Sequence, residues 1–239
     1  MIGILYKNFL AYRHDLIALS IMDTLCVITV LCAAAFAPDH SPEVMLTGIC
    51  TMIYFFMFFM TNIFNHQLFA SDEKRAIGNF VISCPSGAKG HVKGKYYTLL
   101  IVNLATLAIC FLTDTVTCLI AHSTMHAPAS VLMLLFGSNI LYAAFCNPFY
   151  LRFGIQLGNT VKLTSLGVLF AIGFIYFLFG DISFILESES LMETVVTLIS
   201  GNAAMLITSI LLSVSILLYW ISCKISVPLY KKGVEAYEQ

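Results

Sequence analysis

The sequence predicts an all-α polytopic membrane protein of six transmembrane helices, a single membrane domain over residues 1–239. Three observations carry that expectation. Of the 239 residues, 59% are hydrophobic and 10% charged, against about 45–50% and about 25% in a soluble domain. Six apolar runs approach the roughly 20 residues that a helix needs to cross a bilayer. They are about Leu16–Ala37, Val44–Phe64, Tyr96–Ala121, Ser130–Leu151, Leu163–Gly180 and Ala203–Cys223. Lastly, every cation lies on one side of these runs. Lys7 and Arg13 precede the first; Lys74, Arg75, Lys89, Lys93 and Lys95 separate the second and third; Arg152 and Lys162 separate the fourth and fifth; Lys224, Lys231 and Lys232 follow the sixth. The opposite side, with His40, Glu43, the His122–His126 turn and Asp181–Glu193, has no Lys or Arg. The positive-inside rule puts both termini in the cytoplasm, and six spans require the same by parity. Tyr96, Tyr97, Tyr150, Tyr219 and Trp220 fall at the inner boundary, where an aromatic belt belongs.

Basic residues, an apolar run and "CAAAFA" imitate a signal peptide at the start. The run exceeds the 7–15 residues of such a leader, so it reads as the first span. Asp23 lies in that span, nearer its cytoplasmic end, and Asp114 in the third. An intramembrane carboxylate costs about 2.5–3.5 kcal/mol on insertion scales, and no Lys or Arg inside a span pairs with either. Each is a structural hydrogen-bonding group between helices or lines a translocation path. For Asp114, beside Thr113, Thr115 and Thr117, a proton relay is a further option. In the second span "YFFMFFM" reads as lipid-facing or packing bulk. Asn147-Pro148 reads as the end of the fourth, or as a hinge. Gly154-x-x-x-Gly158 has the spacing of a small-residue packing motif but falls beside a cytoplasmic loop, so it reads as a chance match. Leu191–Ile199 is too short to span. The eight cysteines are scattered, with no CxxC, and read as small packing residues.

The basic insert Ala70–Tyr97 holds five of the twelve Lys and Arg. Its Gly94-Lys95 imitates a phosphate-binding loop. Yet Lys89 stands where the first Gly belongs, and Tyr96 replaces the Ser or Thr that would hold Mg²⁺. Nucleotide binding by this chain is therefore not expected, nor is nucleic-acid binding. Ser71 is a candidate N-cap, with Asp72 and Glu73 in the first helical turn, where the helix dipole favours negative charge. A short cytoplasmic helix with Ala76, Ile77 and Phe80 as an apolar patch follows, ended by Pro85 and Gly87.

This segment resembles that of ABC-2-type transporter permeases, which reads roughly F-x-x-DEK, then S-x-P, then KY. The matching positions are Phe69, Asp72, Glu73, Lys74, Ser83, Pro85, Lys95 and Tyr96. The opening "MIGILYKNFLAYRHD", residues 1–15, resembles the amphipathic interfacial segment of the same proteins. The small size is similar to that of phenol-soluble-modulin and related peptide exporter permeases. The resemblance implies a dimer of permeases in the bacterial cytoplasmic membrane, identical or homologous, each docking a separate ABC ATPase subunit that holds ATP and Mg. It makes residues 65–95 the coupling loop, with Asp72, Glu73, Lys74, Arg75, Ile77 and Phe80 on the ATPase. It makes 181–202 an extracellular re-entrant segment before the sixth span, and the cargo an amphipathic peptide or lipophilic compound.

Enzyme motifs are lacking: there is no HExxH and no GxSxG. His122-x-x-x-His126 has ligand spacing but straddles a turn before Pro128, so no metal site, cofactor or catalytic residue is expected. Two readings stand beside the exporter: a proton-coupled secondary transporter using Asp114, and a non-transporting scaffold or sensor subunit.

Overall fold

The structure, a computed structural model, describes residues 2–36, 43–70, 87–120, 129–179 and 202–236, and among them there is no strand. The helices are α1 (Ile2–Ala11), α2 (Arg13–Ala35), α3 (Glu43–Ala70), α4 (Gly87–Ile120), α5 (Ala129–Phe179) and α6 (Asn202–Ala236). In a bilayer each backbone N–H and C=O must be satisfied within the segment, and helices meet that demand. Five stretches are long and apolar enough to cross: Arg13–Ala35, Leu46–Phe69, Gly87–Ile120, Ala129–Gly154 and Ala204–Lys232. The fifth expected span, Leu163–Gly180, falls in the second arm of α5, which is helical to Phe179 but is not one of those five. The coupling residues Asp72, Glu73, Lys74, Arg75, Ile77 and Phe80, the His122–His126 turn and the re-entrant segment up to Gly201 lie outside the described residues.

Between α1 and α2 the chain bends at Tyr12 (φ −103°, ψ 21°) without losing its ladder. Tyr12 N–H donates to Asn8 O at 3.0 Å and Leu16 N–H to Tyr12 O at 2.9 Å. At the other end of the polar insert, α4 starts on Gly87, whose φ of 54° suits a residue without Cβ. The helix thus begins well before Tyr96. Residues 65–70 and 87–95, expected in the loop, are helical.

The interior lies between α3, α4 and the first arm of α5. Tyr54, Met57 and Phe58 meet Leu99, Val102, Leu132, Phe136 and Ile140 there. The run "YFFMFFM" splits by helical periodicity: Tyr54, Met57 and Phe58 turn inward, while Phe55, Phe56 and Phe59 face out. Around this core, α2 and α6 are peripheral. Only Asp23, Val30 and Ala34 of α2 are buried. The exposed faces of both helices carry Ile, Leu and Val, as lipid contact requires.

Two expectations for α5 are corrected. Pro148 does not end the helix, which runs on to Gly154. Proline has no N–H for the carbonyl four residues back, and that carbonyl, Ala144 O, instead accepts the Ser222 hydroxyl of α6 at 2.6 Å. The break comes at Gly154 (φ 77°, ψ −177°), a conformation open to glycine. The second arm then passes so close that a Cβ on Gly158 would lie 2.2 Å from Tyr150 Cδ1. Both glycines of the Gly154-x-x-x-Gly158 pair therefore have structural work: one turns the chain, the other makes room.

Candidate functional site

The residues flanking the polar insert converge at one end of the bundle. Lys95 is 1% exposed. Its ammonium donates to Leu68 O in the last turn of α3 and lies 5.2 Å from the centre of the Phe69 ring. A cation over helix C-terminal carbonyls and an aromatic face is favoured on both counts. Tyr12 OH also donates to Leu68 O, at 3.0 Å, so the bend between α1 and α2 closes on the same turn. Asn8 donates to Thr98 Oγ1 at 3.3 Å, docking α1 on α4. Lys95 and Gly94, which imitated a phosphate loop, are instead helical residues packed into the protein.

Beside Lys95, Tyr96 is a hub. Its ring meets Phe69 edge-on at 6.2 Å and Tyr219 at 5.0 Å. Its hydroxyl is 2.8 Å from both Ser222 Oγ and Ser226 Oγ, and its carbonyl accepts Tyr219 OH at 2.7 Å. Phe69 also stacks on Tyr150, at 6.3 Å. Thus Phe69 and the adjacent pair Lys95 and Tyr96, distant from it in sequence, form one clasp joining α3, α4, α5 and α6. The expected aromatic belt is corrected accordingly. Tyr96, Tyr150 and Tyr219 are buried, whereas Tyr97 and Trp220 are exposed, with Lys224 Nζ 3.4 Å from the Trp220 ring centre. The sequence signal for the inward turn was the pair Ser222 and Ser226, one helical turn apart on α6.

A second polar group, unread in the sequence, fills the middle of the core. Asn139 donates to Asn103 Oδ1 at 2.9 Å and to Phe58 O at 3.1 Å. Asn65 donates to Asn147 Oδ1 at 3.1 Å, and Thr61 lies 3.2 Å from Thr106. These bonds tie α3, α4 and α5 together where apolar packing in lipid offers little drive. Asparagines at apolar spacing were the available signal.

Further from the clasp lie two carboxyl groups, Asp114 on α4 and Asp23 on α2. Asp23 and Asp114 are each 6% exposed, and Cys110 lies within electrostatic range of both. Asp23 stands midway along α2. Docking of Asn8 against Thr98 sets the register, and about 22 Å of helix separates Asn8 from Asp23. Among the described residues Asp23 Oδ1 has no hydrogen-bond partner. The threonines beside Asp114 serve their own backbone: Thr113 donates to Ile109 O and Thr117 to Thr113 O, both at 2.8 Å. Among the described residues no three His, Cys, Asp or Glu side chains come together as metal ligands do.

No curated protein and no solved structure matches the chain. Residues 3–231 match the family described as ABC-2 family transporter protein. With its set of membrane-length apolar helices, this multi-pass chain belongs to the ABC-2 family of transporter membrane proteins.

Proposed function

We propose that the chain is the permease subunit of an ATP-driven exporter in a bacterial cytoplasmic membrane. It pairs with a second permease, identical or homologous, to form a cleft, and a separate ABC ATPase supplies ATP and Mg. Family membership over residues 3–231 carries this reading. The coupling element is the insert, with Asp72, Glu73, Lys74, Arg75, Ile77 and Phe80 against the ATPase. The clasp at its two stems gives such an insert a rigid attachment: Phe69 ends one stem, and Lys95 and Tyr96 lie on the other. The cargo is an amphipathic peptide or a lipophilic compound. The interior supports that class, since among the described residues the buried carboxyl groups are those of Asp23 and Asp114, which favour cationic or neutral cargo over anionic.

Co-purification of the membrane complex tests this reading. A stoichiometric ATPase and ATP-dependent accumulation of a cationic amphipathic peptide in inverted vesicles are expected. Vesicles that transport on a proton gradient without ATP would replace it with the second reading, proton-coupled transport through Asp114. One observation favours that alternative: Asp23, on another helix, is like Asp114 a carboxylate buried within a membrane-length helix.

A further inference from the structure

We propose that Tyr96 and Ser222 are positioning residues for transport, forming a hydroxyl relay that holds the proline-opened turn of α5 closed and releases it when the stems of the insert move. The inference rests on the permease reading for its role in transport, and on hydrogen-bond geometry for the relay itself.

The direction of each bond follows from counting protons. Pro148 leaves Ala144 O without its helical donor. Ser222 Oγ lies 2.6 Å from that oxygen, and a carbonyl only accepts, so the single Ser222 proton is spent there. Tyr96 OH, 2.8 Å from Ser222 Oγ, must then be the donor to it. With its own proton spent, Tyr96 accepts from Ser226 Oγ, also at 2.8 Å. The chain therefore runs Ser226, Tyr96, Ser222, Ala144, every hydroxyl donating once. Ser222 and Ser226 are 6% and 0% exposed and Tyr96 is 2% exposed, so water does not compete.

The relay joins two otherwise separate features. One end is held by the clasp: Phe69 packs against the Tyr96 ring, and Lys95, the adjacent residue, is fastened to the end of α3. The other end closes the backbone opening one turn and a half before the Gly154 break. A shift of the α3 and α4 stems displaces the Tyr96 hydroxyl, and the Ala144 carbonyl then loses its donor. An α-helix with an unsatisfied carbonyl beside proline bends, so the first arm of α5 separates from α6. Cys146, 1% exposed and within the proline-opened turn between Ala144 and Pro148, reports that opening.

The test is peptide-resolved labelling of Cys146 by N-ethylmaleimide in native membranes, which needs neither ATPase nor cargo. Wild-type Cys146 should react slowly. Tyr96→Phe and Ser222→Ala should each raise the rate about tenfold, the effect of one lost hydrogen bond on an opening equilibrium. The double variant should react no faster than the quicker single one. Tyr97→Phe, at an exposed neighbour, should leave the rate unchanged. Pro148→Ala returns an N–H to Ala144 O, so in that background Ser222→Ala should change the rate less than twofold. Equal effects of Ser222→Ala in both backgrounds, or no effect of either relay substitution, overturn the relay. If Tyr96→Phe fails to fold, the Ser222 and Pro148 pair decides alone. In the ATPase complex, ATP should alter labelling of the wild type and not of Tyr96→Phe. Equal ATP responses would remove the role in transport while leaving the relay. If no ATPase co-purifies, the permease reading falls, and ATP-free labelling still decides the relay.

Discussion

Lys95 illustrates what a single residue conceals in a sequence. By position it is one of several inner-side cations, and as such redundant with Lys89 and Lys93. In the fold it is buried, donating to Leu68 O and facing Phe69. Charge-assisted bonds are worth roughly twice neutral ones. Lys95→Ala should therefore destabilise the protein by about 2 kcal/mol, seen as a lowered midpoint of thermal unfolding in detergent. Lys93→Ala should stay within about 0.5 kcal/mol, and equal effects of the two would remove the clasp from the account of stability. Asp114 makes a contrasting case, because its type and depth were legible while its partners were not. Asp114→Asn keeps the side-chain shape and replaces the carboxyl with an amide. It should lower export of a cationic peptide several-fold with the amount of assembled complex unchanged. Equal loss of assembled complex would make the residue structural instead.

Among the elements, α5 departs most from its sequence reading. Pro148 and Gly154 are both helix-breaking residues, and local rules alone could not rank them. The ranking came from α6, whose Ser222 compensates the proline while nothing but a glycine suits the backbone at Gly154. Gly158→Ala should cost about 1–3 kcal/mol, the range for overpacking, since its Cβ would meet the Tyr150 ring. Adding Tyr150→Ala should recover part of that loss, a non-additivity readable in a double-mutant cycle. The polar insert was legible in the opposite way. Its motif and caps were plain, while the meeting of its stems required the fold. Phe80→Ala and Arg75→Ala should each weaken capture of the ATPase subunit by about 2 kcal/mol, as hot-spot truncations do, and reduce substrate-stimulated hydrolysis. Lys93→Ala should do less. Unchanged binding in both would make the insert a solvated linker.

At the scale of the whole molecule, composition and cation placement foretold helices running to and fro between two unlike ends. In the bundle Arg13, Lys95, Arg152 and Lys224 stand close in sequence to the clasp residues Tyr12, Tyr96, Tyr150 and Ser222. The number of crossings was less legible, because the Gly154 break joins two arms that periodicity reads as separate helices. Introduced cysteines between Asp181 and Glu189 should react with an impermeant thiol reagent from outside, and those replacing Lys89 or Lys93 should not. External reaction at Lys89 would invert the topology and remove the docking surface from the ATPase side.

The length of α4 has a mechanical consequence. The helix contains 34 residues, about 51 Å, against a hydrocarbon core of about 30 Å. Lys95 divides it unequally, with about 12 Å toward Gly87 and about 38 Å toward Ile120. The short arm is held at Lys95 and the long arm at Asn103 and Thr106, so α4 acts as a lever about Lys95 once those mid-core bonds give way. Any tilt imposed on the short arm, where the insert attaches, moves the far end about three times as far, so a small push at one membrane face becomes a wide swing at the other.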